Sequence, residues 1–129
     1  MASILKVDDL RGNTSAGNIT ITSEGGAATQ SLQQGLAKQW ATFDGTTNTV
    51  DDSFNVASLT DNSTGNYSAN FTNNMSNGLY ALSLTGSWNR SYGLADARTT
   101  SYSRAKNANF SLTGSDADDL HHIVTGDLA

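Results

Sequence analysis

The sequence predicts an all-β protein: an antiparallel β-sandwich or barrel-like domain, residues 27–129, behind an extended N-terminal arm, residues 1–26. Three observations point there. Ser, Thr and Asn make up about a third of the 129 residues, and these side chains favour turns and hydrogen-bonded strands over helix interiors. Apolar residues recur with period two along several short runs separated by turn chemistry. No strand–helix–strand rhythm appears between those runs. Proline is also absent, so the strands are free to pair along their whole length.

The arm opens with residues 3–12, where Leu5 and Val7 fall on one face of an extended chain and Ile4 and Lys6 on the other. Residues 12–17 read as a turn. Asn18 to Thr22 alternates apolar and hydroxyl side chains, the pattern of a half-buried strand, and Gly25-Gly26 stops it. From Ala27 to Leu36 the spacing of Leu32 and Leu36 suits one helical turn, which Gly35 weakens. Lys38 to Phe43 is strand-like and closes on Asp44-Gly45.

The middle of the chain carries the clearest hairpin. Residues 53–59 place Phe54 and Val56 on one face, Asp61 to Gly65 supplies the turn, and Tyr67, Ala69 and Phe71 alternate on the return. Two such strands need further strands over their apolar face. Residues 79–88 provide one, with Tyr80, Leu82, Leu84 and Trp88 on the same side. Later candidates are 99–104, 107–113 with Phe110 and Leu112 inward, and 120–125.

The chemistry of catalysis is poorly represented. No cysteine is present, so disulfides, thiolate metal sites and cysteine nucleophiles are excluded. His121 and His122 are adjacent and face apart on a strand, so they cannot share a metal within one chain. Residues 114–119 lack the ligand order and closing Glu of a helix-loop-helix calcium loop and read as a solvated turn. Asp51 and Asp52 face apart if extended, and no serine sits in a nucleophile elbow. No enzymatic activity, cofactor or metal is expected. The net charge of −5 disfavours nucleic acid as a partner. No window is long and apolar enough for membrane insertion, and the first residues lack a signal-peptide pattern.

One stretch has the composition of a contact surface. Residues 87–104 mix aromatic and basic side chains with small ones: Trp88, Arg90, Tyr92, Arg98, Tyr102 and Arg104 are the candidate contacts. Rings supply contact area at low entropy cost and Arg supplies paired hydrogen bonds. The alternative is a long hairpin whose Trp88 and Tyr92 belong to the core. Ile4, Leu5, Val7 and Leu10 are the candidate docking residues of the arm.

Several runs resemble a known group of proteins. Residues 3–10, SILKVDDL, and 14–21, TSAGNITI, are similar to the N-termini of tail-fibre-like virion appendage proteins of marine bacteriophages of the cyanophage type. Residues 23–38, the pieces around Ser53-Phe54-Asn55-Val56 and Asn70-Phe71-Thr72, and the terminal Gly126-Asp127-Leu128-Ala129 continue the likeness; residues 88–107 do not. The resemblance implies a β-rich, homotrimeric virion structural protein without enzymatic activity. It would be made in the host cytoplasm and carried on the outer surface of the particle. The partners so implied are sister chains, other tail or capsid proteins and, through the aromatic–basic stretch, host surface polysaccharide. A tail-fibre or spike module for host attachment is the first expectation. A capsid decoration or cement protein is the alternative.

Overall fold

The computed structural model describes residues 4–15, 19–86, 92–109 and 111–129, with residues 92–94 described in their backbone only. Its described residues contain ten strands and no helix, and every strand pairing is antiparallel. The chain divides into two compact units, Met1–Leu36 and Ala37–Ala129.

In the first unit, β1 (Thr20–Thr22) pairs with β2 (Thr29–Ser31), Ile21 opposite Gln30. Of the strand expected over residues 18–22, Thr20–Thr22 forms β1 and Asn18 lies outside the described residues; all three residues of β1 are exposed and not half-buried. The helical turn expected between Ala27 and Leu36 shrinks to a tight turn in which the Gly35 amide reaches the carbonyls of Ser31 and Leu32, both at 3.2 Å. Thr29–Ser31 is held instead as a strand, because Leu32 N–H bonds to the Ile19 carbonyl and extends the ladder.

The second unit holds two four-stranded sheets. The first has the order β4 (Thr49–Phe54), β3 (Ala37–Asp44), β10 (Leu120–Thr125), β7 (Ala81–Gly86). The second has the order β5 (Val56–Ser63), β6 (Asn66–Phe71), β9 (Tyr102–Ala108), β8 (Tyr92–Arg98). Their inner side chains share one core: Ala41, Phe43, Leu84 and Leu120 from the first sheet meet Tyr67 and Ala105 from the second. Phe43 and Tyr67 pack edge to face with centroids 5.2 Å apart, an arrangement favoured by the ring quadrupole. A smaller cluster of Phe71, Met75, Tyr80 and Val124 closes one end. There Met75 bridges to Leu128, and the Tyr80 hydroxyl bonds to the carbonyl of Tyr102 at 2.9 Å.

The run expected as one strand from Ser53 to Leu59 is broken at Asn55, so Phe54 and Val56 do not share a face. Asn55 takes a left-handed φ of 58°, a conformation Asn tolerates better than other side chains. Its amide donates to the carbonyls of Lys38 (2.9 Å) and Asn73 (3.0 Å), and its oxygen accepts the Asn73 amide at 2.6 Å. The chain thereby turns from the first sheet into the second. Val56 packs on the core while Phe54 is 50% exposed.

The strand expected over residues 107–113 ends early. β9 stops at Ala108, and Leu112 is 69% exposed with φ at 57°. The side chain of Asn109 captures the amides of Ser111 and Thr113 and closes a turn. Phe110 and Trp88 lie outside the described residues. Thr99 caps a second turn by accepting the Tyr102 amide at 3.0 Å, so the strand expected from residue 99 begins at Tyr102.

Candidate functional site

The outer face of the first sheet carries the most distinctive surface. Along β10 the side chains of Leu120, His122 and Val124 are buried, which turns His121, Ile123 and Thr125 outward. Along β3, Gln39, Ala41 and Phe43 are buried, which turns Trp40 and Thr42 outward. Register then aligns them. Ile123 stands opposite Trp40, Trp40 opposite Phe54, and Ser83 of β7 opposite Ile123. Three large apolar side chains on three neighbouring strands thus form one row, each at least one-third exposed.

A polar row runs beside it: Asp52, Thr42, His121 and Thr85 are consecutive cross-strand partners. Thr42 Oγ1 lies 3.3 Å from His121 Nδ1, and His121 Nε2 lies 3.2 Å from Asp119 Oδ1. The imidazole is held at both nitrogens. The β3–β4 register slips at this point, with Thr42 opposite Asp52 and Phe43 opposite Val50. Asp51 is the extra residue of that bulge, and bulges commonly re-aim side chains at such places. Both carboxylates are exposed.

The outer face of the second sheet gathers the other candidate contacts that can be placed. Tyr102, Arg104 and Lys106 project beside Asn70, Ser68 and Asn66. The Arg104 guanidinium lies 5.4 Å from the Tyr102 ring centroid and donates to Ser68 Oγ at 3.0 Å. Asp96 takes Lys106 at 3.2 Å and Arg104 at 3.9 Å. Asn62 and Asn70 stitch β5 to β6 with side-chain bonds to Ser68, Ser58 and Thr60. Arg98 is exposed but spends a guanidinium N–H on the Tyr80 carbonyl at 2.9 Å. Arg104 and Lys106 are therefore engaged laterally within the sheet, and Arg98 reaches the segment just before β7 of the other sheet. Trp88 and Arg90 lie outside the described residues, and Tyr92 is placed at the start of β8 in its backbone alone.

The remaining sequence candidates divide plainly. Ile4, Leu5, Val7 and Leu10 are all half or more exposed, and they belong to the first unit. His121 and His122 face opposite ways, His122 being buried with Nε2 3.4 Å from Ser103 Oγ. Burial without an ion partner lowers the His122 pKa to about 4. Among the described residues, no group of three or more His, Cys, Asp or Glu could hold a metal ion. No helix among them is long and apolar enough to cross a membrane.

Residues 114–119 are more than a solvated turn. Asp116 Oδ1 sits 2.5 Å from the Tyr67 hydroxyl and accepts the Gly65 amide at 2.6 Å. Asn107 donates to the Ser115 carbonyl at 2.6 Å, and the Gly45 amide to the Ala117 carbonyl at 2.8 Å. The loop pins one end of the two sheets together. Burial, followed by the adjacent Asp116 carboxylate, raises the Tyr67 pKa well above its ordinary value, so the phenol stays protonated and donates. Sequence reading missed this role, because Asp in a turn carries no mark of a distant partner.

Comparison with protein-family models, with characterised proteins and with solved structures returned no match. The geometry therefore carries the reading. The first sheet's outer face sets an apolar row beside a hydroxyl–imidazole–carboxylate row, and the first unit is a segment of exposed apolar side chains.

Proposed function

We propose that this chain is a structural module of a bacteriophage particle, a short fibre- or spike-like appendage. In this reading its N-terminal unit assembles three copies and docks them on the virion, while the β-sandwich is presented outward toward the host. The observation that carries it is the state of the first unit. None of its described residues is buried, and Ile4, Leu5, Val7, Leu10, Ile21 and Leu36 are each half or more exposed. A hairpin of two three-residue strands without a core is not stable in water by itself, and burying six such side chains against other chains is the ordinary remedy. The resemblance of residues 3–10 and 14–21 to phage appendage N-termini supports the same division of labour.

The second sheet suits a rigid structural module. Its outer face is built of cross-strand bonds between short polar side chains, which stiffen a sheet. A capsid decoration protein would use the same parts at different stoichiometry. Quantitative mass spectrometry of purified particles tests the proposal. A few copies per particle, in multiples of three, support the appendage. Hundreds of copies move the module to the head, and absence from washed particles overturns the proposal.

A further inference from the structure

We propose that the outer face of the β4–β3–β10–β7 sheet is a binding site for an uncharged polysaccharide chain, with Phe54, Trp40 and Ile123 as its platform. The proposal deepens the reading above by naming what the outward unit meets. It rests on that reading only for the idea that this face is presented to the outside.

The first argument is area. Trp40 is 36%, Ile123 45% and Phe54 50% exposed, leaving on the order of 250 Å² of apolar surface along the row. A stable protein partner needs about 800 Å² from each side. The row is long and narrow, covering two strand spacings of about 4.8 Å and continuing to Ser83 over a third. That is a footprint for a chain-like ligand one sugar ring wide.

The second argument is chemistry. One face of a pyranose ring presents C–H groups of slight positive character, which suit the negative face of an aromatic ring. Its edge presents hydroxyls that both donate and accept. Beside the platform the polar row offers an acceptor at Asp52 and a hydroxyl at Thr42, whose position is steadied by the His121 ring that Asp119 holds from its other nitrogen. Side chains held in place before the ligand arrives lose little entropy on binding.

Charge selects among polysaccharides. Asp52 lies in the polar row and Asp119 bonds its His121, in a chain of net charge −5. A sulfated or uronic-acid polymer would be repelled there, whereas a neutral one is not.

Native affinity electrophoresis of the full chain tests this, with a β-glucan, a dextran and a galactomannan each cast into the gel. At least one of the three should retard the protein. Trp40→Ala and Phe54→Ala should each weaken the retardation about tenfold, the scale of losing an anchoring ring. Asp52→Asn leaves the platform intact and should weaken it about threefold, a modest hydrogen-bond loss. Thr60→Ala, on the other sheet, should change nothing. Unaltered circular dichroism in the ring variants keeps the comparison independent of folding. The proposal is overturned if none of the three retards the protein, if an anionic alginate retards it more strongly, or if Trp40→Ala binds like the parent. Loss of self-association in Trp40→Ala would assign the row to a sister chain and overturn it as well. None of these outcomes depends on whether the chain is found on particles.

Discussion

The Tyr67 hydroxyl and the Asp116 carboxylate meet at 2.5 Å, across 49 residues of chain. Tyr67 belongs to the core of the two sheets, and Asp116 to the loop before β10. Tyr67→Phe keeps the ring and removes the donor that Asp116 Oδ1 and the Gly45 carbonyl share, while the Gly65 amide still reaches Asp116. The expected loss is about 1–2 kcal/mol, read as a lower urea midpoint at unchanged slope. An unchanged midpoint would show that water replaces the phenol without cost.

Gly65 sits where two backbones touch. Its φ is +70°, and a Cβ there would run into the Asn107 carbonyl and the Ser115 amide. Gly65→Ala combines left-handed strain with a clash that only backbone movement relieves, and it should lower stability by about 2 kcal/mol or more. Gly25 has nothing within 4 Å of the same position. Gly25→Ala should stay within about 0.5 kcal/mol of the parent in the same thermal melt.

Gln39 is fully buried, and neither atom of its amide has a hydrogen-bond partner among the described residues. Desolvating such a group costs free energy with no return. Gln39→Met has nearly the same shape and no such demand, so it should raise stability by about 1 kcal/mol. Calorimetry would show a higher Tm; a lower one would mean that the amide has a partner of its own, such as an ordered water.

His122 sets the acid limit of the fold. Burial holds its pKa at about 4, against an ordinary 6.5. The unfolded chain therefore takes up the proton first as pH falls. The stability owed to a neutral His122 is complete above pH 6.5 and is lost progressively down to about pH 4, on the order of 3 kcal/mol in all. Asp44, held at about 2 by the Thr46 hydroxyl, loses its contribution only below that window. Urea titrations from pH 7 to pH 4 should show the decline in the parent and a flatter line in His122→Leu.

Much of the fold was legible where periodicity coincided with large side chains. Tyr67, Ala69 and Phe71 alternate so plainly that β6 could be read directly, and β3, β7 and β10 followed from similar runs. β8 was not, because its seven residues include only one Tyr and one Leu among Gly, Ala, Asp and Arg. The break at Asn55 was hidden because Asn suits both a strand interior facing water and a left-handed corner. The Phe54–Trp40–Ile123 row could not be found by walking along the chain. Its members come from strands more than 80 residues apart at the extremes, and the β3–β4 and β3–β10 pairings together make them neighbours. Tyr102 and Arg104 were named as candidate contacts from composition alone; that they share a face of β9, and that Asp96 and Ser68 already occupy the guanidinium, depends on strand pairings no local pattern reveals.

Self-association through the first unit is the proposition on which the functional reading stands. Sedimentation velocity of the full chain at micromolar concentration measures it directly. One species of three times the chain mass is predicted, with Leu5→Asp plus Ile21→Asp reducing it to a monomer whose β-sheet circular dichroism is kept. A parent chain that sediments as a single stable monomer would contradict the account.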